Sequence, residues 1–177
     1  MRPTSIVAFL SVLCAFTPGT TPAQSKALPA VDIPAADIQA LIGPARKPNT
    51  LPNLRVVDAG GHHVGVGVLY RTQAQVQPAA EHDKVSEVYY IMQGTATLVT
   101  GGTMVNAKTR PADSPQVRQQ DGPGSTGTSI EGGTTREVKD GDVIIIPGGT
   151  PHWFSKIDGA LAYLVVRIDP NQIIELQ

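Results

Sequence analysis

Cysteine is nearly absent from this chain of 177 residues, which contains only Cys14. Cys14 lies in the apolar run of residues 6–16 and would be lost with that run if the N-terminus is cleaved. A lipid-anchor signal requires a small residue directly before the cysteine, whereas this chain has Leu13 there. The remaining chain can form no disulfide and has no thiolate to bind a metal or to act as a nucleophile. Any metal must therefore be bound by nitrogen and oxygen atoms.

The chain also lacks an excess of either charge, because its 14 basic residues nearly balance its 15 acidic ones. It therefore carries no electrostatic footprint for nucleic acid or for an anionic membrane surface. A long hydrophobic span is missing at the N-terminus too, since the apolar run of residues 6–16 is too short to cross a bilayer.

Residues 1–23 have the three-part layout of a secretory signal peptide. Arg2 supplies a positive charge, the apolar run follows, and small residues end at Ala23 before a plausible cleavage site at Gln24. We therefore predict a periplasmic or secreted protein that has no membrane contact after cleavage. A retained membrane anchor or a frayed tail are the alternatives for this segment.

The rest of the chain has the composition of an all-β domain. Short runs rich in Val, Ile, Thr and Tyr are separated by abundant glycine (18) and proline (15). We predict an N-terminal extension at residues 24–53 and one barrel at residues 54–177. The extension should contain one short helix that begins near Asp32 and stops at Gly43.

Within the barrel, residues 87–92 and 95–100 are predicted to form a hairpin with its turn at Gly94. Residues 152–155 and 160–168 are predicted to be two separate strands. Residues 101–128 are polar and rich in glycine and proline, so we predict a long surface loop. Such a loop is either a lid over the barrel mouth or a solvated insertion.

Two distant stretches carry the chemistry of the chain. The first places His82 five positions before Glu87, and the second ends an apolar run with a sharp Pro/Gly turn and His152. Imidazole and carboxylate are ligands for iron, manganese, nickel, copper or zinc. Alternation along the strands puts Tyr89 on the face of Glu87, and Phe154 on the face of His152. The pattern indicates a divalent metal held inside the barrel between aromatic walls.

The spacing of the two stretches resembles the paired motifs of the cupin superfamily. The matching positions are His82-x4-Glu87-x6-Gly94 and Gly141-x5-Pro147-x-Gly149-x2-His152. The resemblance implies a double-stranded β-helix (jelly-roll) barrel, the metal ligands His82, Glu87 and His152, and a possible homodimer. Three family positions depart from the pattern: Ala80 replaces the first histidine, Ala74 the leading glycine and Lys156 the closing asparagine.

Each candidate residue also has a plainer interpretation. The histidines could be ordinary core residues, and Ala80 is consistent with a barrel that has lost its metal. A buried Glu87 without a metal or another cation would carry a large desolvation cost, which favours a metal. Tyr89 could donate a proton or hold a substrate oxygen, or only form the wall. His63 could line the substrate pocket or lie in solvent.

Arg71 and Arg167 could clamp an anionic substrate, although a solvated role is the simpler interpretation of each. The sequence thus favours an exported metal-dependent enzyme acting on a small organic molecule, with dioxygenase as the preferred class. The alternative is a non-catalytic module that binds a small ligand or a metal, which the missing fourth ligand supports. A DNA-binding regulator is excluded because no helix-turn-helix pattern is present.

Overall fold

The computed structural model describes residues 28–42, 53–74 and 78–177. The predicted signal peptide at residues 1–23 lies outside these ranges. No helix in the described ranges is long and apolar enough to cross a membrane. The elements are α1 Ala35–Gln39, β1 Asn53–Asp58, β2 His63–Thr72, β3 Ala79–His82, β4 Ser86–Thr100, β5 Thr103–Val105, β6 Lys108–Thr109, a π-helix Val117–Asp121, β7 Gly124–Gly127, β8 Ser129–Glu131, β9 Thr134–Val138, β10 Val143–Ile146 and β11 His152–Asp169.

The predicted all-β jelly-roll barrel is confirmed. Nine strands form one antiparallel sheet, and β5 pairs with β8 in a second, two-stranded sheet. The long strand β11 lies between β2 and β4 and pairs with both. At its first residue, β11 also meets β3, where His152 lies opposite Ala80. This contact joins the strand that carries His82 to the strand that begins with His152.

The two longest strands differ from the prediction, because each continues through a glycine at which the sequence predicts a turn or a break. β4 is continuous through Gly94, whose φ is 97°, and β11 is continuous through Gly159, whose φ is 75°. The predicted hairpin at Gly94 is therefore wrong, as is the division of β11 into two strands. The glycines allow each strand to bend, so that the first part of β4 pairs with β10 and the last part with β9.

Residues 101–128 are not the surface loop that we predicted from their polarity. They contain β5, β6, the π-helix and β7, and β7 pairs with β3 along its whole length. This segment, which we call the β5–β7 segment, forms the wall behind His82. It also brings Arg110, a buried residue, and Asp121 into the interior.

The short N-terminal helix α1 is present, but it begins later than predicted, at Ala35 rather than near Asp32, and it ends before the predicted stop at Gly43, which lies outside the described residues. Its N-cap is Pro34, with extended backbone angles, and its last residue is Gln39. The core of the barrel lies elsewhere, between the inward faces of β4, β10 and β11. Its largest fully buried apolar side chains include Tyr163, Ile91, Leu98 and Leu161.

Candidate metal centre

His82, Glu87 and His152 converge inside the barrel from three different strands. His82 ends β3, Glu87 lies at the start of β4, and His152 begins β11. Glu87 Oε2 lies 3.4 Å from Nε2 of His82 and 3.4 Å from Nε2 of His152. All three side chains are buried, and their ligand atoms lie within 4.8 Å of one another. The structure therefore brings together the three residues that the two motifs supplied.

The turn of residues 147–151 joins these segments through the backbone. The Gly149 N–H donates a 2.6 Å hydrogen bond to the His82 carbonyl oxygen. The Gly148 N–H donates to the Ser86 hydroxyl at 3.1 Å. A Cβ on Gly148 would lie 2.8 Å from the Lys84 backbone, so only glycine allows this approach. The position of His152 is thus fixed against the turn that connects His82 to Glu87.

His152 is prepared to accept a metal. Its Nδ1–H donates to the Thr150 carbonyl oxygen at 3.0 Å, which leaves an unprotonated Nε2 facing Glu87 Oε2. Burial lowers the pKa of His152 to about 4, so the ring is neutral at pH 7. Two acceptor atoms therefore face each other across 3.4 Å. Two ligand atoms that each lie about 2.1 Å from one ion in tetrahedral geometry are separated by about 3.4 Å. This gap fits a transition-metal ion.

Glu87 already has two close partners besides the histidines. Tyr89 donates its hydroxyl to Oε2 at 2.6 Å, and Arg167 donates its Nε–H to Oε1 at 2.9 Å. Burial by itself would raise the pKa of Glu87, but the charges of His82 and Arg167 outweigh it and hold the pKa well below its ordinary value. Burial of Glu87 therefore does not by itself require a metal, because Arg167 supplies a cation. The donation by Tyr89 leaves lone-pair capacity on Oε2 for an ion.

Arg167 is not solvated, contrary to the simpler interpretation of its sequence position. It is 3% exposed and donates to Asn53 Oδ1 at 2.7 Å, and its Nη2 lies 3.2 Å from Asp121 Oδ1. Together with Glu87, these groups give each of the three guanidinium nitrogens a polar partner. Arg71 is not free in solvent either, because its Nε–H donates to the Tyr163 hydroxyl at 2.9 Å.

His82 has a different environment from His152. Arg110 Nη1 lies 3.4 Å from His82 Nδ1, on the side of the ring away from Glu87. Burial lowers the pKa of His82, but the Glu87 carboxylate outweighs this effect and the net shift is upward. His82 can offer Nε2 to an ion only if the proton on that atom leaves.

Comparison with protein families identifies one family that matches the chain. The family model described as Cupin matches residues 58–177, which is more than half of the sequence. The chain belongs to the cupin family. A search of curated proteins gives no match to it.

Solved structures similar to this cupin include three from microbes. A Bacillus halodurans protein is 17% identical, with 70% of this chain and 74% of that chain covered and a TM-score of 0.43. An RmlC-like cupin family protein with a double-stranded β-helix fold from Methanocaldococcus jannaschii is 13% identical, with 70% and 85% covered and a TM-score of 0.39. The DMSP lyase DddQ from Ruegeria pomeroyi is 20% identical, with 72% and 43% covered and a TM-score of 0.40.

The predicted pocket residues of this cupin lie in two places. Tyr89 and Phe154 stack with ring centroids 6.2 Å apart, and Tyr163 lies 4.7 Å from Tyr89. Burial raises the pKa of Tyr89 well above its ordinary value, so its hydroxyl stays protonated. His63 is buried rather than solvated, and its Nδ1–H donates to the Ile174 carbonyl oxygen at 2.7 Å. It lies outside the cluster of His82, Glu87 and His152.

Three charged residues around the site have contacts that the sequence did not predict: Arg167 is a candidate only for a substrate clamp or a solvated side chain, and Arg110 and Asp121 are not candidates at all. Arg167 carried a usable signal, because it follows Tyr163 and Val165 on the inward face of an otherwise apolar strand. Arg110 and Asp121 carried none, since they lie in a polar segment whose strands are short and lack apolar alternation. The same buried neighbourhood therefore holds two guanidinium groups as well as the metal-competent cluster.

Proposed function

We propose that this cupin binds a divalent transition metal through His82, Glu87 and His152 and acts as a metal-dependent enzyme on a small organic substrate. The observation that carries the proposal is the 3.4 Å approach of His152 Nε2 to Glu87 Oε2, while Nδ1 of the same ring lies 3.0 Å from the Thr150 carbonyl oxygen. The identity of the metal is left open among iron, manganese, nickel, copper and zinc, all of which accept imidazole and carboxylate.

A bound metal would supply Lewis acidity or, for a redox-active ion, electrons to dioxygen. The protein supplies the remaining features. Tyr89 keeps its proton and donates it to Glu87 in a hydrogen bond, so its hydroxyl would have to leave Glu87 before it could hold a substrate oxygen, while Phe154 and Tyr163 form an apolar wall. Ala80 lies opposite His152 and has only a methyl side chain, so it supplies no fourth ligand.

We favour dioxygenation among the possible reactions. Two histidines and one carboxylate leave two or three coordination positions to substrate and oxygen, and non-haem iron oxygenases use the same donor set. Bidentate substrates, such as an enediol or a catechol-like group, would suit these open positions.

A second candidate function is a non-catalytic module that binds a small ligand or a metal. Arg167 already neutralises Glu87, and Arg110 hydrogen-bonds the outer nitrogen of His82. Both contacts reduce the need for an ion at the site. An enzyme should consume oxygen or substrate when its metal is present, whereas a binding module should gain thermal stability from a ligand without turnover.

The deciding experiment is a metal analysis of the protein purified without chelator or added metal. We expect near-stoichiometric metal in the parent, loss of metal in His152→Ala, and unchanged metal in His62→Ala, which alters a histidine outside the cluster. Loaded protein should then be screened for oxygen consumption. Absence of metal from the parent, even after reloading with all five candidate ions, would refute the metalloenzyme and the metal-binding module and would favour a module that binds a small ligand.

The protein is further proposed to be exported and to form a homodimer. Export follows from the signal-peptide layout, and a mature N-terminus at Gln24 in a secreted or periplasmic fraction would test it. For the dimer, Val143 and Ile145 of β10 and Tyr90 of β4 leave an exposed apolar patch on the outside of the sheet. A monomeric mass by light scattering would contradict the dimer.

A further inference from the structure

Arg110 is a buried cation held by contacts of an unusual kind. It is 6% exposed, and it donates to the Ser125 carbonyl at 3.0 Å and to the Gly122 carbonyl at 3.5 Å. Among the described residues, its Nε has no hydrogen-bond partner and it forms no ion pair. Its side-chain contact is instead with Nδ1 of His82 at 3.4 Å. An arginine without a carboxylate is thus placed against a candidate metal ligand.

This contact determines which nitrogen of His82 carries the proton. A guanidinium group can only donate hydrogen bonds, so in the neutral ring of His82 Nδ1 is the acceptor and the proton lies on Nε2. The Nε2–H then points toward Glu87 Oε2 at 3.4 Å. His152 and His63 have the opposite tautomer, because each donates Nδ1–H to a backbone carbonyl. Of these three buried histidines, His82 is the exception.

Histidines that bind metals usually donate their second ring N–H to a carbonyl or carboxylate, and this bond fixes the tautomer that coordinates. His152 has that arrangement, whereas Arg110 imposes the reverse on His82. For His82 to bind an ion through Nε2, one proton must move from Nε2 to Nδ1. The new Nδ1–H would face the N–H of Arg110, so the arginine would have to move away.

We propose that Arg110 is a positioning residue that holds His82 in the Nε2–H tautomer and thereby weakens its bond to a metal. The part that concerns metal affinity rests on the proposed function, whereas the tautomer of the metal-free protein does not depend on it. The β5–β7 segment, through Arg110, would then set how readily the third ligand joins the site.

The first test is nitrogen NMR of the metal-free protein with its four histidines labelled. The spectra are recorded at a pH above the raised pKa of His82, where its ring is neutral. We expect His82 as the Nε2–H tautomer, and His63 and His152 as Nδ1–H. Three variants extend this test. Arg110→Gln offers an amide oxygen that can accept Nδ1–H, Arg110→Lys remains a donor, and Arg136→Gln changes an exposed arginine of β9. His82 should change tautomer only in Arg110→Gln.

The second test is titration of the same proteins with Zn²⁺ and Mn²⁺. We expect Arg110→Gln to bind about tenfold more tightly than the parent, the lower end of effects seen when the partner of a ligating histidine is changed. Arg110→Lys and Arg136→Gln should match the parent. An Nδ1–H tautomer of His82 in the parent, or unchanged or weaker metal binding by Arg110→Gln, would overturn the inference.

If neither the parent nor Arg110→Gln binds metal, the proposed function fails and the affinity half of the inference fails with it. The tautomer of His82 would still decide whether Arg110 positions that ring. The parent spectrum also gives this answer if a substitution at Arg110 prevents folding.

Discussion

The two histidines of the cluster reach the same point by different means. His152 is positioned locally, by a turn that ends two residues before it and by the Thr150 carbonyl that its own ring contacts. His82 is positioned from a distance, by β7 and by Arg110, which come from the β5–β7 segment. His152 offers the lone pair of its Nε2 to a metal, whereas Nε2 of His82 carries a proton. Residues close in sequence therefore position His152, whereas contacts with a distant segment position His82.

Removing the group that both histidines share should have the largest effect. Glu87→Gln replaces one of the two carboxylates that face Arg167 with a neutral amide and leaves Asp121 as the other. Loss of one partner from a buried ion pair costs about 3–5 kcal/mol of unfolding free energy, which is the upper bound here because Asp121 remains. Metal binding should also fall below detection. Urea unfolding and metal titration measure the two effects.

The matched control for that substitution is Glu175→Gln, which breaks the exposed pair with Arg118 and should cost less than about 1 kcal/mol. If the two substitutions destabilise the protein equally, the buried network around Glu87 is not what stabilises this part of the barrel.

The two histidines should respond to pH in opposite directions in the metal-free protein. His152 has a folded pKa of about 4, below its ordinary 6.5, so the unfolded chain binds the proton first as the pH falls. Because the buried ring stays neutral, the free energy of unfolding falls as the pH drops from 6.5 to 4. The loss is about 3 kcal/mol at most. The folded pKa of His82 is raised, so its contribution is full below pH 6.5 and is lost as the pH rises through the folded value.

Unfolding free energies measured between pH 4 and pH 8 separate these effects. His152→Ala should flatten the acid loss, and His82→Ala should remove a stabilising contribution from the acid side. Glu87 has a pKa well below its ordinary 4.5, so its stabilising contribution is lost mainly below this window. An unchanged acid slope in His152→Ala would show that the burial of its neutral ring does not govern acid stability.

A substitution at the contact between Gly148 and the Lys84 backbone should have a smaller effect on stability. In Gly148→Ala, the new Cβ would lie 2.8 Å from the Lys84 carbonyl group and would force the two turns apart. Overpacking of this kind costs about 2 kcal/mol, and we expect weaker metal binding because Gly149 is hydrogen-bonded to His82. Gly65→Ala is the control, because its Cβ would make ordinary contacts at 3.5 Å. Equal stability of the two variants, measured by thermal unfolding, would argue against a tight junction.

The sequence alone predicted the barrel and the cluster of His82, Glu87 and His152, because the motifs that indicate them are short-range. The five-residue step from His82 to Glu87 and the Pro/Gly turn before His152 constrain the backbone within a few residues, so their spacing carries the geometry. A glycine with positive φ is less informative, because turns and strand bends both use it. Only the pairing of β11 with both parts of β4 distinguishes a bend at Gly94 from a hairpin.

The charged neighbours of the cluster could not be predicted in the same way. Arg110 and Asp121 reach the interior through β6, the π-helix and β7, which lack the apolar alternation that indicates a strand. Arg167 was within reach, since a charged residue on the inward face of an apolar strand needs a buried partner. The sequence predicted the metal ligands, but it did not predict that arginine side chains contact two of them.

The pairing of β4 with β11 also has a kinetic consequence. These strands contact each other along most of their length, yet the chain between Thr100 and His152 must close as a loop before they meet. Non-local pairing of this kind slows folding, because the entropy of loop closure is lost before the contacts form. We therefore expect His152 to meet His82 and Glu87 late in folding. A metal bound at this cluster would prolong the life of the folded barrel by slowing its unfolding, without speeding its formation.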